Sequence, residues 1–258
     1  MFFQNIWDII TKYYPDFLKG VGVTVLLAIT GTLFGLIIGL LIGVFRTLPK
    51  AKGKTAGVFQ KIADYILVAY IEVFRGTPMM VQAMVIYYGY AAMTSGQTLP
   101  VIPSAIIIVS INTGAYMAEI VRGGILSIDK GQFEGAEAIG MSHWQMMTKV
   151  IIPQVMRNIL PSVGNEFVIN IKDTSVLNVI YVSELFFMGK IAAGDTSLPL
   201  ETYVVVSVIY LILTLTSTRI LRLLEKKLNG KEHYTICGSQ SNPDANIVVN
   251  TKEEIPND

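Results

Sequence analysis

Residues 21–45 carry no charged side chain. As a helix rising ~1.5 Å per residue, that run reaches about 37 Å, longer than the roughly 30 Å of hydrocarbon in a bilayer. A chain holding such a segment is an integral membrane protein. Bulk composition agrees mainly through its distribution. The chain is 52% hydrophobic and 15% charged, against about 25% charged in soluble domains, and its apolar residues gather in blocks. Further blocks at 62–93, 101–121, 160–181 and 203–220 give five expected transmembrane helices and an all-α membrane fold. The second block is interrupted by Glu72, Arg75, Gly76 and Pro78, and the fourth is unusually polar.

Loop charges set the expected orientation. Arg46, Lys50, Lys52, Lys54 and Lys61 follow the first span, and Arg219, Arg222, Lys226, Lys227 and Lys231 follow the fifth. Positive charge stays on the cytoplasmic side, so both segments are expected inside and the N-terminus outside. The uncharged link 94–100 and the link 184–201 then fall outside, and the link 122–153 falls inside. Residues 1–19 lack the pattern of a signal peptide and are expected to form a short amphipathic helix on the outer surface. Residues 20–228 make the membrane domain, and 229–258 read as a disordered cytoplasmic tail. A net charge of +1 offers no field for nucleic acid. Cys237 stands alone, and no Cys/His cluster suggests a metal.

Gly31, Gly35, Gly39 and Gly43 share one face of the first span, which implies close approach of another helix. Gly53, Lys54 and Thr55 invite a nucleotide-binding reading, but Leu48 stands where a phosphate loop needs its first glycine. Two pairs at i, i+3 spacing, Glu72 with Arg75 and Glu119 with Arg122, lie near membrane depth. Charges there mark pairs or pathways, and an ion-pair cluster joining spans two and three, serving as a pin or a gate, is expected. Span four presents Ser162, Asn165, Glu166, Asn170 and Asp173 along one stripe. Such a stripe cannot face lipid and is expected to line a polar path. Met79, Met80 and Met84 suit adaptable packing.

The link before span four has its own local code. Asp129 can cap a helix over 130–139, Gly140 suits a left-handed exit, and Ser142 with Gln145 forms a capping box that opens the next helix. Phe133, Met141, Trp144 and Met146 are expected as exposed apolar contacts for a protein partner.

Within this link, Glu134, Gly135, Ala136, Gly140 and, further on, Pro153 and Gln154 resemble the coupling-loop signature of ABC-importer permeases, with Gly135 where the family pattern has alanine. Phe74 to Pro78 with Val81 and Gln82, Ala115 and Tyr116 with Glu119 and Arg122, and Lys172 to Ser175 resemble the polar amino-acid branch of that family, the histidine, glutamine, glutamate and arginine permeases. The resemblance covers about 20–228. It implies a type I ABC importer in a prokaryotic plasma membrane. Two permease subunits, identical or related, would work with two ATPase subunits and an extracytoplasmic binding protein that delivers a polar amino acid. The segment 129–153 would dock on the ATPase through Glu134, Gly135, Ala136, Gly140, Met141, Trp144 and Pro153. ATP and magnesium would bind the partner ATPase, and this chain would hold no cofactor and catalyse no reaction. A secondary transporter driven by an ion gradient, with Glu166 or Asp173 carrying a proton, is the other reading of the polar stripe. No nucleophile and base set supports a membrane enzyme, since His143 and His233 are isolated.

Overall fold

A computed structural model of the chain describes residues 1–49 and 53–228. Lys50, Lys52, Lys231 and the expected tail 229–258 lie outside the described residues. In chain order the helices are α1 (Phe2–Arg46), α2 (Lys54–Gly76), α3 (Met79–Met93), α4 (Val101–Leu126), α5 (Lys130–Ala138), α6 (His143–Met146), α7 (Ile152–Asp173), α8 (Leu185–Thr196) and α9 (Pro199–Leu228). A π-helical turn, Met147–Ile151, joins α6 to α7, and a 3-10 segment, Thr174–Ile180, follows α7. Among the described residues, α1, α4 and α9 are long and apolar enough to cross a membrane. A fourth crossing forms if His143–Ile180 and α8, bent by 56°, count as one.

The glycine face of α1 explains the main packing. A β-carbon on Gly31, Gly35, Gly39 or Gly43 would collide with Val109, Thr113, Met117 or Val121, respectively. Both series step by four, so α1 and α4 run parallel with a constant register. At Gly35 the added carbon would stand 2.8 Å from Thr113 Cβ, and at Gly39 it would stand 2.7 Å from the Met117 backbone carbon. Only glycine lets the two helices approach this closely.

The N-terminal segment corrects the expectation of a separate surface helix. Helix α1 runs 45 residues without a break and passes straight through Pro15. Ile9, Tyr13 and Phe17 are buried with Leu185, Ala192, Val205 and Val206 of α8 and α9, which holds this half of the helix in line. Asn5 donates to Glu201 at 3.0 Å and the Tyr13 hydroxyl donates to Asp195 at 3.3 Å.

Span two is not one helix. It breaks between α2 and α3, where Pro78 has no N–H to continue the helical ladder. The carbonyls freed by the break are taken up inside protein. Gln82 Nε2 donates to the Phe74 carbonyl at 3.0 Å and to the Thr77 carbonyl at 2.9 Å. Asn112 of α4 donates in turn to Gln82 Oε1 at 2.9 Å. The expected span at 160–181 also differs: its α-helix starts earlier and ends at Asp173, and Tyr181 takes a left-handed conformation at φ 64°.

Glu184 fixes the turn from there into α8. Its fully buried carboxylate accepts from the N–H groups of Phe186 at 2.9 Å and Phe187 at 2.7 Å, and from the Tyr210 hydroxyl at 2.7 Å. Thr24 Oγ1 accepts from the Leu185 N–H at 3.2 Å. A buried carboxylate is tolerated because both of its oxygens accept from donors. Helix α9 closes the bundle on its outer side, with 11% of its apolar window buried.

Candidate coupling and translocation sites

The coupling segment folds by the local rules its sequence carries. Asp129 Oδ1 accepts from the Gly131 N–H at 2.7 Å and caps α5. Gly140, at φ +77°, receives the end of that helix. The Gly140 N–H donates to the Glu137 carbonyl at 2.9 Å and the Met141 N–H to the Ala136 carbonyl at 3.1 Å, the double bond of a Schellman stop. The Ser142 N–H donates to Gln145 Oε1 at 2.9 Å, and Ser142 Oγ accepts from the Gln145 N–H at 3.3 Å. Pro153 follows directly on the π-helical turn Met147–Ile151, whose wider turn makes room for a residue with no N–H to donate inside the continuing helix. Gln154 donates to Gln132 Oε1 at 3.2 Å and ties α7 back to α5.

The apolar contacts expected here divide. Trp144 is 70% exposed, and Phe133 and Met141 are half-buried. Met146 is a correction: it is buried with Val121, Ile125 and Ile128 at the end of α4, where Ala136 of α5 packs as well. Ile139, beside Gly140, is 78% exposed and was not singled out from the sequence. Glu134 and Gly135 stand on the open side of α5, and a β-carbon on Gly135 would touch nothing within 4 Å.

The five stripe residues of α7 fall on two sides of its buried edge. Ser162, Asn165 and Asp173 are exposed, whereas Glu166 and Asn170 are buried in the bundle. Asn170 Nδ2 donates to Thr32 Oγ1 of α1 at 2.9 Å, and Asn170 Oδ1 accepts from the Thr113 hydroxyl of α4 at 3.1 Å. Asn170 thus bonds across all three helices at the level of the glycine ladder. Periodicity alone gave the arc but not which part of it α1 and α4 would cover.

The ion pairs also differ from expectation. The pairing of Glu72 or Arg75 with Glu119 or Arg122 does not form. Glu119 Oε1 pairs with Arg46 of α1 at 2.6 Å, Glu119 Oε2 pairs with Arg122 at 2.8 Å, and Arg46 reaches Asp64 of α2 at 3.2 Å. The close α1–α4 contact brings the C-terminal end of α1 within reach of Glu119 and sets this pairing. Arg46 counted only as a loop charge in the sequence, and Asp64 had no visible partner there. Arg75 instead lies over the Tyr116 ring, 5.5 Å from its centroid. Tyr116 also stands in the electrostatic fields of Glu166 and Asp173. Tyr116 thus lies under one guanidinium and in the field of two carboxylates of α7, of which Asp173 is exposed and Glu166 is buried.

Comparison with known proteins agrees with this architecture. A glutamine transport system permease protein of Escherichia coli is 38% identical over 87% of this chain and 98% of its own length. An arginine transport system permease protein of Bacillus subtilis is 32% identical over 84% of this chain and 94% of its own. A crystal structure of an amino acid ABC transporter with histidines superposes with a TM-score of 0.72 at 35% identity, covering 85% of this chain and 97% of that one. Residues 53–230 match the binding-protein-dependent transport system inner membrane component family, and the chain belongs to that family, the permease subunits of ABC importers.

Proposed function

We propose that this chain forms half of the translocation pathway of an ATP-driven importer for a polar amino acid, with glutamine the leading candidate from its relatives. The observation that carries the reading is the charge arrangement around Tyr116. A zwitterion needs a cation for its carboxylate and an anion for its ammonium, both inside the apolar depth of the bilayer. Arg75 offers the first, and the exposed Asp173 offers the second. The open polar face of α7, bearing Ser162 and Asn165, would be covered by a second permease chain, identical or related, leaving a path between them.

In this reading α5 and α6 dock in a groove of a separate ATPase, which binds ATP and magnesium. Exposed Trp144 and Ile139 supply the apolar contact. Nucleotide binding then favours one arrangement of the permease pair because the ATPase holds that arrangement more tightly. An extracytoplasmic binding protein supplies the amino acid on the other side.

The test is uptake of labelled glutamine by vesicles holding the permease, the ATPase and the binding protein. Uptake should require ATP. Arg75→Gln and Asp173→Asn should each raise KM about tenfold or more, as loss of one charged contact worth roughly 1.5–3 kcal/mol implies. Uptake driven by an ion gradient without the ATPase would overturn the ATP-driven reading. An unchanged KM in both variants would remove the site.

A further inference from the structure

On the far side of α7 from the polar face, a groove of about 270 Å³ opens between α1, α7 and α9. Leu33, Leu160, Phe167, Leu221 and Leu224 contribute apolar walls, and Glu225 is the last lining residue toward the C-terminal end of α9. Leu33 and Leu224 are exposed at its rim. Around α7 the exposed Ser162, Asn165 and Asp173 lie roughly 100–180° from Gly164 of this groove. The groove therefore opens away from the pathway face, and its apolar lining suits hydrocarbon.

One charge, Glu225, lines the groove, and an opposite one, Arg157, lies on α7 beyond the lining residues. Glu225 approaches α7 closely, with Oε1 3.7 Å from where a β-carbon on Gly164 would be. Arg157 lies about two turns before Gly164 on nearly the same face of α7, and it is exposed. Neither has a hydrogen-bond or ion-pair partner among the described residues. Because α7 begins at the coupling segment, Arg157 lies on the coupling side of the groove, roughly 10 Å along the helix from Gly164, within reach of a headgroup that also meets Glu225.

We propose that the groove binds one phosphatidylethanolamine molecule, an acyl chain lying between α1, α7 and α9, Arg157 holding the phosphate and Glu225 the ammonium. A guanidinium matches phosphate oxygens with paired N–H groups. A carboxylate beside it disfavours an anionic headgroup that lacks an ammonium and favours one that carries it. The apolar walls receive hydrocarbon whatever the headgroup, so selectivity rests on the two charges. The bound lipid braces α7 between the coupling segment and the polar face, and the proposal holds for any transported solute.

The full-length chain, assembled with its ATPase in nanodiscs of mixed phosphatidylethanolamine and phosphatidylglycerol, provides the test by native mass spectrometry of retained lipid. The wild type should keep about one phosphatidylethanolamine per permease chain, in several-fold excess over phosphatidylglycerol. Glu225→Gln should level the two lipids, and Arg157→Gln should reduce both. Gly164→Leu should empty the groove, since a β-carbon there meets side-chain ends alone, of Leu221 at 3.4 Å and Glu225 at 3.7 Å, and the rest grows into the cavity. If Gly164→Leu fails to assemble, the two charge variants, outside the packed core, decide alone. Equal retention of the two lipids by the wild type, or retention unchanged in the charge variants, would overturn the proposal. So would a disulfide from a cysteine at Leu160 to a neighbouring permease chain, which would show that protein fills the groove.

Discussion

Gly39 shows how much of this bundle rests on single missing carbons. Its neighbour across the contact includes the backbone of Met117 and Ala118, which cannot rotate away as a side chain can. Gly39→Ala should lower stability by about 1–3 kcal/mol through overpacking. Gly22, on the same helix, has nothing within 4 Å of an added carbon. Gly22→Ala should be neutral or gain about 0.5–1 kcal/mol from helix propensity. Thermal unfolding in detergent compares the two, and equal effects would mean that the ladder does not set the helix spacing. Charge pairing is the other residue-scale question. A double-mutant cycle between Arg46 and Glu119, at 2.6 Å with side chains 19% and 24% exposed, should show coupling of about 1 kcal/mol or more. The cycle between Glu72 and Arg122 should show none. The opposite result would restore the pairing suggested by spacing alone.

At the scale of elements, legibility followed locality. Every cap of the coupling segment could be read in advance because Asp129, Gly140 and the Ser142–Gln145 pair act on backbone only a few residues away. The burial of Met146 could not be read, because it depends on the end of α4, about 20 residues earlier in the chain. The continuity of α1 was hidden for a similar reason. Lys19 and Gly20 look like a boundary in sequence, but α8 and α9 supply the contacts that carry the helix through. The coupling segment yields a paired prediction. Gly140→Val places a β-branched side chain at φ +77°, where left-handed backbone costs an ordinary residue roughly 1–2 kcal/mol. Gly135→Ala adds a carbon in open space on α5 and should stabilise that helix by about 0.5–1 kcal/mol. Hydrogen exchange over 130–146 should therefore quicken in Gly140→Val and slow in Gly135→Ala. Co-purification of the ATPase should fall only in the former. Normal co-purification with Gly140→Val would remove this segment as the docking element.

For the whole molecule, the question is what closes the open polar face of α7. Asn170 is committed to Thr32 and Thr113 inside this chain, so it serves as a structural tie. Ser162, Asn165 and Asp173 point away from that core. They cannot rest against lipid, because polar side chains at membrane depth seek water or a partner. A water-lined path and a dry protein interface both satisfy this, but they differ in access. With Cys237 replaced by serine, single cysteines at 162, 165 and 173 should react with a small polar thiol reagent in the assembled transporter. Trapping the ATPase with nucleotide should change those rates, because the path opens to one side at a time. A cysteine at 170 should react much more slowly in every state, since α1 and α4 cover it. If 162, 165 and 173 stay inert in all states, the face is sealed by protein and the path runs elsewhere. If 170 reacts as fast as 162, the buried edge of the stripe is itself wet, and the path runs between α1, α4 and α7 of a single chain.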